Sequence, residues 1–318
     1  MLDLVFITDD DPDTPSRRFR VEAFLPLLGN AGMSCKIIGL PDAFLQRIIC
    51  LLGVPESRTI VIQKKLLRSF EMRLLRRKSS RLIYDFDDAV YLSRKGSRRF
   101  VRILQEVDQV FAGNDVLMSS AVQINNNTLC VPTGIDLDRY RPVKKECGSP
   151  LRIGWIGSKG NLKNLHLLTN PLLSLKKDFA FSLQYICDSS DRSLEQGGWE
   201  YIPWSSGSEV EVLSCLDIGV MPLEDTEYNR GKCGFKIVQY MAMGIPPVAS
   251  PVGVNEALIK NGVNGFLART QEEWKKALSI LLSDRAARVR MAESARMRAR
   301  DFSCSVIFEN IRHHLLRC

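Results

Sequence analysis

Short apolar runs rich in β-branched residues alternate along the chain with longer stretches whose apolar positions recur every three or four residues. In the first half, Leu4–Ile7, Cys35–Leu40, Thr59–Gln63, Leu82–Tyr84, Gln109–Ala112 and Leu129–Val131 predict strands with helices between them. The clearest helical stripe carries Val21, Phe24, Leu25 and Leu28 and stops at Gly29 to Gly32. Alternation of this kind predicts a parallel sheet covered on both faces, because parallel neighbours need a crossover. From Val131 to Pro150 the pattern fails. VPTGIDLDRYRPVKKECGSP is rich in proline, glycine and charge and reads as an interdomain linker. Strands then resume at Leu151–Ile156, Phe181–Ile186, Tyr201–Ile202, Ile218–Met221 and Val248–Ser250. From Thr270 the chain is helical to its end, broken near Ser283 and Phe302. Two such halves in 318 residues predict two α/β domains with a cleft between the carboxyl edges of their sheets.

Composition narrows the class. With 45% hydrophobic and 25% charged residues the chain can bury a large core. Met1 to Thr8 runs straight into Asp9, Asp10 and Asp11 without the features of a signal peptide, and no apolar run approaches the roughly 20 residues of a membrane span. The expected location is cytoplasmic. Cys35, Cys50, Cys130, Cys147, Cys187, Cys215, Cys233, Cys304 and Cys318 are scattered, which suits reduced core residues. Only His166, His313 and His314 are available, so a zinc site or a Ser–His–Asp triad has little to draw on. His166, among Leu162, Leu165 and Leu168, reads as structural, and Trp155 reads as core.

The net charge of +8 is uneven. Between Arg58 and Arg102 lie Lys64, Lys65, Arg68, Arg73, Arg76, Arg77, Lys78, Arg81, Arg94, Lys95, Arg98 and Arg99, with few acids. Such a stretch attracts anionic lipid or a phosphorylated substrate, or is a solvated helix face. No nucleic-acid motif accompanies the charge, so nucleic acid is not expected as a partner.

The densest chemistry lies in RGKCGFKIVQYMAMGIPPVASPVGVN, Arg230 to Asn255. Gly231 and Gly234 permit a tight approach at a helix start, where amides and dipole favour an anion. Lys236 and Gln239, three apart, share one helix face, and Gly244, Pro246 and Pro247 end the helix. A diphosphate could sit there among Arg230, Lys232 and Lys236, with Gln239 on a ribose hydroxyl and Gly253 opening a further turn. The plain alternative is a helix with exposed cations. In YDFDDA, Asp85, Asp87 and Asp88 follow a strand. They could orient an acceptor hydroxyl, cap a helix and pair with arginines, or bind Mg²⁺. Ser16, Arg17, Arg18 and Arg20 also open a helix after a strand and could face phosphates or be surface charge. Trp204 stands after a strand, placed for stacking on a base or for core packing.

The stretch from Arg230 resembles the donor-binding signature of the GT-B glycosyltransferases of family 4, the group 1 set. PSRRFRVEAFLPLL (Pro15–Leu28), RLIYDFDDAVYL (Arg81–Leu92), VFAGNDVL (Val110–Leu117), VPTGIDLDRYRP (Val131–Pro142), IGWIGSKGNLKNL (Ile153–Leu165), DIGVMPLEDTEYNRGKCGFK (Asp217–Lys236) and GVNGFLARTQEEW (Gly262–Trp274) resemble the set in the same order. The resemblance implies an α/β GT-B fold of two Rossmann-like domains facing each other across a cleft. Residues 1–148 would form the acceptor-side domain, 149–301 the nucleotide-sugar domain, and helix 302–318 would cross back to the first. It implies retaining, metal-independent transfer from a nucleotide-diphosphate sugar to a glycan or lipid-linked acceptor, with no further cofactor and peripheral contact with an anionic membrane. Lys163 matches the lysine that steadies the leaving diphosphate, and Lys236 a second cation there. Gln239 replaces a ribose-binding glutamate, Gly231 a sugar-binding one, and Ser158 a frequent arginine. Asp225 or Glu227 would then meet the sugar, and Arg230 and Lys232 would supply charge. A nucleotide-sugar epimerase and a non-catalytic homologue acting as a binder are the rival readings.

Overall fold

The computed structural model describes residues 1–92, 96–142 and 150–316. Arg94, Lys95, Cys147, Cys318 and the domain boundary expected at 148/149 lie outside the described residues. Two units are distinguished: residues 1–134, 231–233 and 302–318 form the first, residues 135–230 and 234–301 the second.

The first unit is built on strands β1 (Leu2–Asp9), β2 (Cys35–Leu40), β3 (Ser57–Gln63), β4 (Ser79–Phe86), β5 (Gln109–Ala112) and β6 (Thr128–Cys130). They are all parallel, in the order β2-β1-β3-β4-β5-β6. Both faces are buried, which is why β1 reads as an unbroken apolar run. Val5 and Ile7 join a core with Leu51, Met72, Phe100, Leu104 and Leu117 from helices on one face. Leu4 and Phe6 point the other way, into a core with Val21, Phe24, Leu28, Ile307, Phe308 and Ile311. The last helix, Cys304–Leu316, therefore packs on the first unit, and Thr59 Oγ1 donates to its Leu315 carbonyl at 3.0 Å.

The second unit holds β7 (Leu151–Ile156), β8 (Phe181–Cys187), β9 (Trp199–Pro203), β10 (Ile218–Met221), β11 (Pro247–Ala249) and β12 (Phe266–Leu267). Its parallel order, β12-β11-β10-β7-β8-β9, reverses between β7 and β10. Crossovers leave the carboxyl ends of these two strands in opposite directions, so a crevice opens there. In the first unit the reversal falls between β1 and β3.

Several local expectations need correction. The stripe Val21–Leu28 is not one helix but the pieces Pro15–Arg20, Glu22–Phe24 and Leu25–Asn30. Pro26 has no N–H to continue the ladder, and Val21 leaves helical geometry at φ −127°. Lys159–Leu168 is a 3₁₀ helix, and β12 is too short to show a period in the sequence. His166 is exposed rather than structural, because it faces away from Leu162, Leu165 and Leu168. His314 is half-buried, its Nδ1 2.9 Å from Gln109 Nε2. Trp155 is core, at 1% exposure. Most described cysteines are only half-buried; Cys187 and Cys304 are buried.

Candidate functional site

In the first unit, chemistry gathers at the carboxyl ends of β1, β3 and β4. Asp85 is buried, and Arg20 grips it with Nε to Oδ2 at 2.8 Å and Nη2 to Oδ1 at 2.5 Å. Arg20 Nη1 also donates to the Val131 carbonyl at 2.9 Å and Thr133 Oγ1 at 3.1 Å. Burial works against the guanidinium charge, yet Asp85 holds it protonated. Arg20, held by Asp85, thus clamps the Pro15–Arg20 helix to β4 and to the segment after β6. Both of its oxygens are committed to that ion pair.

Asp87 and Asp88 are differently placed. Ser16 Oγ donates to Asp87 at 2.7 and 3.0 Å, and Lys64 Nζ stands 3.5 Å from Asp87 and pairs closely with Asp88. Burial pushes the Asp87 carboxyl up, but Lys64, Arg20 and the Ser16 hydrogen bond outweigh it and hold the group below its ordinary range. Lys64 itself has φ +59°, the left-handed region that costs a side chain of this size about 1–2 kcal/mol. Its amide donates to the Asp85 carbonyl at 2.7 Å. Lys64 is one residue that sequence reasoning missed as a site member. Its position directly after the β3 run was the available signal. Arg17 lies at the β1 end, donating to Glu22 at 2.8 Å and to the carbonyls of Asp9 and Asp10. A lysine between two carboxylates, with a hydroxyl beside them, suits hydrogen bonding to the hydroxyls of a polyol.

The same unit includes residues 231–233. Asn114 caps the Asp115–Val122 helix through the Leu117 amide and donates from Nδ2 to the carbonyls of Gly231 at 3.0 Å and Lys232 at 3.1 Å. The Cys233 thiol donates to the Asp87 carbonyl at 3.2 Å. A methyl group at Gly113 would lie 2.4 Å from Cys233 Sγ, which explains the glycine before Asn114.

In the second unit, Gly234 adopts φ +63° and opens the helix Phe235–Ala242. That helix is registered on the sheet by Tyr240. The fully buried ring lies against Gly219, where a Cβ would come within 2.5 Å of it. Its hydroxyl accepts from the Ile156 amide at 3.1 Å and donates to the Val220 carbonyl at 3.3 Å. β7 and β10 pair only over Ile153–Gly154 and Ile218–Gly219, so these two backbone groups lie beyond the ladder and the phenol bridges them. Lys236, one turn earlier, is thereby carried to the end of β7. Its ammonium lies 5.3 Å from the Trp155 ring centre, and its stem passes over Gly157.

Around this centre the expected residues divide. Ser158, exposed at the start of Lys159–Leu168, accepts from Asn161 at 3.0 Å, and Lys163 is exposed on that 3₁₀ helix. Arg230 is held by Asp225 through contacts of 2.6 and 3.0 Å, which lower the Asp225 pKa. Gly253 has φ +57°, and a Cβ there would meet the Arg230 carbonyl at 2.3 Å. Gln239 and Trp204 do come together, on a residue not singled out beforehand. Buried Glu209 accepts from Gln239 Nε2 at 2.7 Å, Trp204 Nε1 at 2.9 Å and the Tyr140 hydroxyl. Gln239 is itself only 5% exposed. A cavity of about 510 Å³ lies beyond β10, β11 and β12, lined among others by His166, Asn170, Asp225, Ser250 and Arg269. Among the described residues no group of three or more His, Cys, Asp or Glu converges as a metal site, and no helix is long and apolar enough to cross a membrane.

Residues 150–284 match the family described as glycosyl transferases group 1. No match was found among curated proteins. Among solved structures, Anabaena Alr3699/HepE in complex with UDP and glucose aligns with a TM-score of 0.77, at 15% identity over 99% of both chains. Sucrose-phosphate synthase from Thermosynechococcus elongatus aligns with a TM-score of 0.76, at 12% identity over 99% of this chain and 98% of that one. A glycosyltransferase from Rickettsia africae aligns with a TM-score of 0.72, at 12% identity over 99% of both. The fold is GT-B, and residues 150–284 form a glycosyl transferases group 1 domain that makes the protein a transferase.

Proposed function

We propose that the protein is a retaining glycosyltransferase that moves a sugar from a nucleoside-diphosphate sugar to a glycan or lipid-linked acceptor without a metal. The observation that carries this reading is the placement of Lys236, at the strand end where the second sheet reverses, over Trp155 and Gly157. Cleaving the bond from anomeric carbon to phosphate loads negative charge onto a diphosphate. Lys236 and Lys163 neutralise it, with Arg230 adding charge and Ser158, Gly234 and Gly253 allowing close backbone approach. Trp204 and Gln239, joined through Glu209, form the nucleoside side. Asp87 and Asp88, set by Ser16 and Lys64, receive the acceptor hydroxyl, and Arg17 adds charge at the end of β1. Asp85 acts only by holding Arg20. The hydroxyl attacks on the face from which the diphosphate departs and gives its proton to the departing diphosphate, so the anomeric configuration is kept. HepE has been crystallised with UDP-glucose, which makes UDP-sugars the first donors to test.

A thermal-shift panel of UDP-, GDP- and ADP-sugars should show one nucleotide class raising the melting point, since a ligand of the folded form alone stabilises it. Transfer with that donor should survive EDTA and give product of the donor's anomeric configuration by NMR. Lys236→Ala should abolish most of it. Transfer undiminished in that variant, or no stabilisation by any donor, overturns the reading.

A further inference from the structure

We propose that the cavity of about 510 Å³ beyond β10, β11 and β12 is a second binding site of the transferase domain, shaped for an uncharged saccharide. The inference goes beyond the transfer reaction. None of the residues proposed above for the donor phosphates, the nucleoside or the acceptor hydroxyl lines this cavity. Its volume falls within the roughly 300–1,000 Å³ of small-molecule sites. Its walls are fixed by the chain's own hydrogen bonds. Ser250 Oγ accepts from the Leu223 amide at 2.9 Å, which ties the segment after β11 to the segment after β10. Asn255 Nδ2 donates to the Ser250 carbonyl at 3.0 Å. On another wall, the helix Gln271–Ser283 opens with a reciprocal cap. Thr270 Oγ1 accepts from the Glu273 amide at 3.2 Å, and Glu273 Oε2 accepts from the Thr270 amide at 3.0 Å.

The lining selects the ligand. Leu223, Val252 and Trp274 are buried and give the cavity an apolar floor. Asn170 and Gln271 are exposed at its rim, each amide offering two donors and an acceptor. The charges on that rim are already matched. Asp225 holds Arg230 at 2.6 and 3.0 Å, and Arg269 Nη2 stands 3.7 Å from Glu256. With Glu224 and Asp225 in the lining against one arginine, a phosphate gains nothing there. An amine is served no better, because Asp225 is taken by Arg230 and Arg269 shares the lining. A nucleobase needs an open aromatic face, and Trp274 is only 3% exposed. An acyl chain needs a rim as apolar as the floor. A pyranose combines what remains. Its C–H face suits the floor, and its hydroxyls, each donor and acceptor, suit amides that are also both. On the transferase reading, a saccharide held here keeps a growing glycan near the enzyme between transfers.

The test is saturation-transfer NMR with calorimetry on the full chain, against uncharged hexoses, pentoses, deoxyhexoses, N-acetylhexosamines and their di- and trisaccharides. At least one series should bind. Asn170→Ala with Gln271→Ala removes two neutral hydrogen-bonding groups and should weaken that binding about tenfold. Leu167→Trp, at a lining residue that is 38% exposed, fills the space and should abolish it. Neither change should alter the binding of nucleoside diphosphates. Equal affinity for monomer and trimer identifies a free sugar as the occupant, and affinity rising with length identifies a glycan chain; either sustains the site. Melting curves show whether each variant is folded, and the exposed amide pair carries the test if the tryptophan variant is not. Three outcomes overturn the proposal. They are failure of every sugar to bind, binding undiminished in both variants, and loss of nucleoside diphosphate binding in a folded Leu167→Trp.

Discussion

Gly157→Ala tests whether Lys236 is a positioned cation or merely a surface charge. A Cβ at residue 157 would lie 2.6 Å from Lys236 Cε and 2.6 Å from both Cη2 and Cζ2 of Trp155. Comfortable carbon contacts begin at about 3.5 Å, so roughly 1 Å must be recovered. Trp155, 1% exposed and packed in the core of the second unit, cannot supply it. The lysine stem is half-buried and flexible and swings away, while the two Trp155 contacts are relieved only by a shift of residue 157 itself, so the ammonium and the backbone at the end of β7 both move. The packing cost should be about 1–3 kcal/mol, a few degrees of melting temperature. The catalytic cost should be larger. A misplacement of about 1 Å can cost about 10²-fold, and removing one stabilising charge-donor outright costs about 10²–10³.

The assay is initial-rate transfer with the donor identified by thermal shift, on Gly157→Ala, Lys236→Ala and the double variant. The cation acts on charge that develops as the bond breaks, so kcat should fall more than donor KM rises. Because both single changes remove the same interaction, the double variant should be no slower than Lys236→Ala alone. Losses that multiply, or a Gly157→Ala enzyme with unaltered kcat, would refute the assignment of Lys236.

Further outcomes follow from the first unit. Asp85→Ala leaves Arg20 buried without its counter-ion and should cost about 3–5 kcal/mol in urea unfolding, while Arg20→Met with Asp85→Leu should recover most of the loss. Asp87, held below its ordinary 3.8, stabilises the fold above that value and loses this contribution as pH falls through its depressed folded pKa. Lys64→Met removes the largest charge holding it down, so the acid limbs of both stability and activity should move to higher pH. At φ +59°, Lys64→Gly should be more stable than Lys64→Ala by about 1–2 kcal/mol, as measured by paired melts, although both lose the contacts to Asp87 and Asp88.

The fold was legible wherever a strand is buried on both faces, for such strands appear as continuous apolar runs. Gln109–Ala112 and Ile218–Met221, buried throughout, and Leu151–Ile156, buried from Ile153 on, occur at the positions their runs predict. The failures have local causes, Pro26 dividing a stripe that period alone joins, and Phe266–Leu267 being too short to have a period. On the last helix Val306 is 44% exposed and Cys304 is buried, one turn before Phe308. Periodicity states which face a residue occupies. It does not say what meets it there.

That distinction explains why the candidate site was named in part and its architecture missed. Gln239 was visible as a polar residue on the helix of Lys236, but its amide is directed by Glu209, thirty residues upstream, and Glu209 also receives Trp204. Asp85, Asp87 and Asp88 look equivalent in YDFDDA, and Arg20 on one side and Lys64 on the other make them unlike. Tyr240 is the sharpest case. In the sequence it is one more apolar position of an amphipathic helix, indistinguishable from Met241. In the fold its hydroxyl fills the gap where β7 and β10 part, and so sets the height at which Lys236 stands over the end of β7. A sheet reversal creates a crevice at its switch point, but the crevice becomes a phosphate site only if a helix start is held at the right level. Here one phenol, set against Gly219 of β10, holds the helix that carries the proposed phosphate site.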